Sequence, residues 1–184
     1  MDFKAVLSLI IKRFSKEQVR YALMGGFALG ALGVPRATID LDFLVYRDDL
    51  PKIDSIMKEN GYGCVYKSKN VSQYVSAVKI FGEIDFLLAF RDISVKMLES
   101  ALEKDIFAGE LKIRVLRPED IIGLKVQALV NDEARAAKEY LDIEALMDYY
   151  GSNLDWMSIK EYFEIFDKVG KFNELKKRFC DVKR

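Results

Sequence analysis

The chain contains no histidine. That absence removes Ser–His–Asp triads, imidazole general bases and every His-ligated zinc or iron site. Chemistry here has to rest on carboxylates, lysines, hydroxyls or a metal ion held by oxygen. Cysteine is scarce: Cys64 and Cys180 stand far apart and form no Cys-x-x-Cys pair. This argues against a disulfide framework and for a reducing, cytoplasmic setting. Net charge of one sign is missing too, with 29 basic and 29 acidic residues, so no global field grips nucleic acid. A local excess of lysine and arginine over Glu174 and Asp181 remains in residues 168–184. No apolar run reaches the ~18 residues that span a bilayer, so no membrane partner is expected. The N-terminal MDFKAVLSLIIKRF is interrupted at Ser8 and lacks a small-residue cleavage site, so it reads as an amphipathic helix and not a signal peptide.

What is present is the texture of a globular protein. Its 184 residues suffice for one core and a small helical appendage. Apolar residues make up 51% and charged residues 32%, which excludes disorder, fibrous repeats and coiled coils. The only prolines, Pro35, Pro51 and Pro118, each fall at an element boundary. Helical spacing of Val6, Leu9, Ile10 and Phe14 predicts a helix over 3–17. Strands are expected at 21–24, 39–45, 62–67, 73–81, 83–90 and 111–116, with helices at 27–32, 50–60 and 93–102. From Pro118 the pattern is helical throughout, over 118–130, 133–150, 155–168 and 171–180. The fold class is therefore α+β: a mixed sheet flanked by helices in residues 1–117, then a helical part in 118–184 packed on that core.

The informative stretch runs from Gly25 to Val45, GGFALGALGVPRATIDLDFLV. Asp40 and Asp42 lie two apart on the expected strand, which places both carboxylates on one face. The apolar run Leu41, Phe43, Leu44 and Val45 is typical of an interior strand covered on both sides, where paired carboxylates repel unless a cation sits between them. Mg²⁺, with Mn²⁺ as its substitute, is the natural ion for an all-oxygen site and completes its shell with water and phosphate. Gly25 and Gly26, between a short strand and a short helix, allow close backbone approach and offer free N–H groups to phosphate. Thr38 shares the parity of the aspartates, and Arg36 is placed to hold a phosphate or brace the loop.

Gly-Gly followed after a 13-residue gap by Asp-Leu-Asp resembles the signature of the nucleotidyltransferase superfamily typified by DNA polymerase beta. The fuller pattern, GGFAL…RATIDLDFLV, is similar to the AbiEii-type toxin nucleotidyltransferases and related stand-alone members. That resemblance implies a third metal-binding carboxylate on a nearby strand. Asp85, in Gly82-Glu-Ile-Asp-Phe-Leu-Leu, fills the position, with Glu83 as the backup. It implies a lysine and an aspartate on later helices, matched by Lys125 and Asp142, and here Lys138-Glu139 stands where the family more often has Lys-Asp. Arg135 and Lys138 are read as weaker candidates on the same helix face as Asp142.

The expected activity is Mg²⁺-dependent transfer of a nucleoside monophosphate from an NTP to an acceptor hydroxyl, with release of pyrophosphate. Asp40, Asp42 and Asp85 would be the catalytic, metal-holding residues; Gly25, Gly26, Arg36, Thr38, Lys125 and Asp142 would bind the nucleotide. The acceptor is left open among an RNA 3′ end, a protein and a small molecule. The toxin resemblance adds a cognate antitoxin or toxin partner. The alternatives are a non-catalytic nucleotide-binding or antitoxin-like module of the same fold, and a metal-dependent phosphodiesterase.

Overall fold

The computed structural model describes residues 1–180; Asp181 and the last two cations of the basic run, Lys183 and Arg184, lie outside them. The chain divides into two compact units, one of Met1–Leu116 and a second that begins at Arg117.

The first unit opens with α1 (Phe3–Lys16), which buries Val6, Leu7, Ile10, Ile11 and Phe14, the stripe its helical period demands. Asp2 caps it by accepting the Ala5 N–H at 3.0 Å. There follow β1 (Tyr21–Met24), α2 (Gly25–Ala31), β2 (Leu41–Tyr46), α3 (Leu50–Glu59), β3 (Tyr62–Lys67), β4 (Val71–Ser76), β5 (Glu83–Ala89), α4 (Asp92–Glu99), β6 (Leu102–Ile106) and β7 (Leu111–Val115). The strands form one seven-stranded sheet in the order β3-β4-β5-β2-β1-β7-β6. It is mixed: β2 pairs antiparallel with β1 and parallel with β5. In β2, Leu41, Phe43, Leu44 and Val45 are fully buried, as an interior strand requires. An aromatic cluster packs on one face of the sheet. There the Phe14 ring meets Phe43 edge-on at 5.7 Å and Phe43 stacks on Phe86 at 5.6 Å. Alternation turns Asp42 and Asp85 to the opposite face.

The structure corrects several expected boundaries. The strand expected over 39–45 starts only at Leu41, so Asp40 lies in a bend ahead of β2 and not on it. The helix expected over 27–32 begins at Gly25. The strand expected to run to 81 ends at Ser76, and α4 ends at Glu99 rather than 102. Strand β6 was not expected. Its sequence, LEKDI, shows charge where a buried strand would show apolar alternation. It is an edge strand paired only to β7, and charged side chains suit an edge because they discourage pairing with another chain.

The second unit holds α5 (Pro118–Asn131), α6 (Ala136–Tyr150), α7 (Trp156–Ile165) and α8 (Val169–Phe179). Asp120 is fully buried on α5. It accepts the Arg117 guanidinium at 3.0 and 3.1 Å and the Tyr162 hydroxyl of α7 at 2.7 Å. Such a buried charge is tolerated because both its oxygens are paired. One turn along, Gly123 lets α7 approach: a Cβ built there would lie 2.7 Å from the Tyr162 ring. No helix among the described residues is long and apolar enough to cross a membrane.

A methyl group at Gly123 has nowhere to go. Gly123→Ala is expected to lower stability by about 1–3 kcal/mol despite the better helix propensity of alanine. A thermal melt checks this, and an unchanged or raised midpoint would contradict the close approach.

Candidate active site

The sheet register aligns Asp42, Asp85 and Gln73 across three adjacent strands. Asp42 of β2 pairs with Asp85 of β5, and Asp85 pairs with Gln73 of β4. Registered residues on neighbouring strands share a face and stand about 4.8 Å apart in the pairing direction. Two carboxylates are thus held side by side by backbone hydrogen bonds. Gly25 closes one side. It has φ +68, and a Cβ built on it would fall 1.9 Å from Asp42 Oδ2, so only glycine admits the carboxylate here. Gly26 is similarly close to Thr38, whose Cβ would lie 2.8 Å away. Both glycines are the opening residues of α2, which leaves their N–H groups without intrahelical acceptors.

Asp40, in its bend, does not use strand parity to reach the site. Its Oδ1 accepts the Thr38 hydroxyl at 2.5 Å. Arg36 donates to the carbonyl of Ala37 at 2.9 Å and so braces the loop.

Asp85 carries the electrostatic tension. Its Oδ2 accepts from Gln73 Nε2 at 3.0 Å, whereas Oδ1 is buried with no hydrogen-bond partner. Burial pushes its pKa above the ordinary carboxylate value; the Gln73 bond opposes this, while the charges of Glu83 and Asp40 add to it. Gln73 was not singled out from the sequence, because cross-strand register is invisible there.

The resemblance implies a divalent cation at these carboxylates. Among the described residues, no group of three or more ligating side chains stands arranged to hold a metal ion. Asp40 is engaged with Thr38, which leaves Asp42 and Asp85 as the registered pair. Mg²⁺ needs only one or two carboxylates when water and substrate phosphate supply the rest. All the donors are hard oxygens, and the partnerless Oδ1 of Asp85 is a lone-pair site that a cation would satisfy. The residues fit the ion on these grounds.

The later-helix residues lie in the second unit. Lys125 Nζ donates to Glu139 at 2.8 Å and to Asp142 at 2.6 Å, with its side chain only 11% exposed. Arg135 reaches Glu139 at 2.7 Å. Asp142 thus pairs with Lys125 of the neighbouring helix α5. Glu139, noted only as a departure from the family pattern, is the hub joining Lys125 and Arg135.

Because Asp85 is held above its unfolded pKa, its ionisation works against folding. The penalty is absent below the unfolded carboxylate range and sets in as pH rises through the titration. Asp85→Asn is therefore expected to raise the melting midpoint at pH 7 by roughly 2 °C or more, with the gain fading towards pH 4. A lowered midpoint at pH 7 would contradict this account.

The model of a family described as "uncharacterised nucleotidyltransferase" matches residues 3–164. No curated protein matches the sequence. Among solved structures, the antibiotic-resistance factor ANT(2″)-Ia is similar over 97% of this chain and 98% of its own, with 16% identity and a TM-score of 0.67. An antigenic nucleotidyltransferase-like protein from Paracoccidioides brasiliensis is similar over 97% and 94%, with 16% identity and a TM-score of 0.57. The lincosamide antibiotic adenylyltransferase LnuA, solved with lincomycin bound, is similar over 77% and 94%, with 15% identity and a TM-score of 0.52. At such identities the structural likenesses carry the fold, and the family match carries the class. The chain belongs to this nucleotidyltransferase family and is an enzyme of that class.

Proposed function

We propose that the protein transfers a nucleoside monophosphate from an NTP to an acceptor hydroxyl in a Mg²⁺-dependent reaction, releasing pyrophosphate. The single observation that carries this reading is the Asp42–Asp85 register, with a buried, partnerless Asp85 Oδ1, beside a glycine that touches the Asp42 carboxylate. When bound, a divalent ion supplies charge neutralisation to the phosphates and lowers the pKa of the acceptor hydroxyl. Asp42 and Asp85 would hold it, with Asp40 as the third carboxylate proposed to do so. Mn²⁺ serves as the substitute ion.

The N–H groups of Gly25 and Gly26 cradle phosphate at the start of α2, and Thr38 and Arg36, in the loop ahead of β2, help to hold the nucleotide at the edge of the site. In the step itself, an acceptor oxygen forms a bond to the α-phosphorus and the bond to the β-phosphate bridging oxygen breaks. Pyrophosphate leaves with the electron pair, and the acceptor proton passes to a carboxylate of the site. Lys125 and Asp142 are proposed as nucleotide-binding residues of the second unit. Any phosphate there competes with Glu139 and Asp142 for the ammonium.

The nearer kinship we propose is to the AbiEii-type toxin nucleotidyltransferases. It rests on GGFAL…RATIDLDFLV and brings a cognate antitoxin or toxin partner with it. The free thiols of Cys64 and Cys180 support a reducing, cytoplasmic setting.

The test incubates the full chain with each α-labelled NTP and with cellular RNA, protein and low-molecular-mass fractions, with and without Mg²⁺. Label should move to one fraction only with Mg²⁺, and the Asp40→Ala/Asp42→Ala double variant should lose about 10²-fold or more of the rate. Label that persists in that variant sinks the assignment. Mg²⁺-dependent NTP binding with no transfer to any fraction would favour the non-catalytic nucleotide-binding module instead.

A further inference from the structure

A second feature of the first unit adjoins the carboxylate loop. An open cleft of about 530 Å³ is lined by Phe3 of α1, Phe27 of α2 and Phe107 from the turn joining β6 to β7. Thr38, Arg36 and Asp105 stand on its other walls. The three rings form a contiguous series, Phe3 to Phe27 at 5.1 Å and Phe27 to Phe107 at 6.4 Å.

The backbone that delivers Phe107 is unusual. Phe107 has φ 51 and Ala108 has φ 57, while the Gly109 N–H donates to the Ile106 carbonyl at 3.1 Å. A tight hairpin turn with positive φ at both central residues is normally built from Asn-Gly or Gly-Gly. Here a phenylalanine and an alanine occupy the left-handed region, where a Cβ is disfavoured. Strain of this kind persists only where the surrounding structure over-determines the conformation, and such positions cluster at ligand sites. The visible return is the Phe107 ring laid over Phe27 at the wall of the cleft.

The chemistry of the lining selects an occupant. An aromatic wall with a few convergent polar groups, in a cleft within the usual ~300–1,000 Å³, is the pattern of a small-molecule site. Arg36 and Asp105 carry opposite charges, so the walls offer no net attraction to a polyanion such as RNA. The cleft also meets the proposed reaction centre through one side chain: Thr38 lines it, and the Thr38 hydroxyl donates to Asp40 Oδ1 at 2.5 Å.

We infer that this cleft is the acceptor site. The acceptor is a small organic molecule with an apolar or aromatic face, a hydroxyl group and no strong net charge. This inference rests on the nucleotidyl-transfer reading above. The rings seat the apolar face, and the hydroxyl is presented past Thr38 towards the carboxylates.

Gly30 provides the test. It lines the cleft, and a Cβ built on it meets no atom within 4 Å, so a side chain there grows into open space. Gly30→Phe fills the cleft, and Gly30→Ala leaves it open. The probe is 8-anilinonaphthalene-1-sulfonate, followed by fluorescence, with ATP–Mg²⁺ binding measured in parallel. Gly30→Phe should weaken the probe by about tenfold or more while its own ATP–Mg²⁺ binding stays within about twofold, and Gly30→Ala and Asp42→Ala should keep the probe. In the labelled-NTP assay, label should enter the low-molecular-mass fraction and be lost with Gly30→Phe. Equal probe binding by Gly30→Phe overturns the inference. So does a parallel loss of ATP, which would make this the nucleotide's own pocket. Label that enters RNA or protein overturns the acceptor assignment alone. A wild-type protein that labels no fraction overturns it together with the transfer reading.

Discussion

Everything at the site depends on two like charges held in register. Backbone pairing between β2 and β5 fixes Asp42 beside Asp85, and neither strand can slip without turning its apolar residues away from the core. The fold therefore keeps the two acidic side chains adjacent, and shifting them apart would also disrupt the aromatic cluster. One oxygen of Asp85 is left without a partner in a buried position, where an unsatisfied polar atom is costly. A divalent cation with bound phosphates, the occupant proposed above, would match that oxygen in charge and hardness.

Much of this was legible in the sequence. The absence of histidine directed attention to carboxylates, and the unbroken apolar run through Leu41, Phe43, Leu44 and Val45 identified an interior strand. Asp85 was reached through the resemblance, with its apolar neighbours Ile84 and Phe86 and the upstream Asp pair setting it apart from a strand-end surface residue. The alternation argument for Asp40 gave the wrong reason for its placement: the residue sits in a bend, and the Thr38 hydroxyl holds its carboxylate. Gln73 and Glu139 were hidden because their roles come from register and helix pairing, which one chain's spacing does not encode. Strand β6 escaped for a related reason, because an edge strand is free to be charged.

The aromatic cleft shows the same limit from another side. Phe3, Phe27 and Phe107 are far apart in sequence and belong to three different elements. Only the folded chain brings them together. The strained turn that carries Phe107 looks unremarkable as the string Phe-Ala-Gly. The proposed site is thus divided between a motif legible in the sequence and a wall assembled by tertiary structure.

The most direct test of the central claim is to locate Mn²⁺ by anomalous scattering in crystals grown with a non-hydrolysable NTP. The account predicts a peak about 2.0–2.3 Å from a carboxylate oxygen of Asp42 and from Oδ1 of Asp85, with triphosphate oxygens completing the shell. A metal ion bound elsewhere, with Oδ1 of Asp85 still without a ligand, would contradict it.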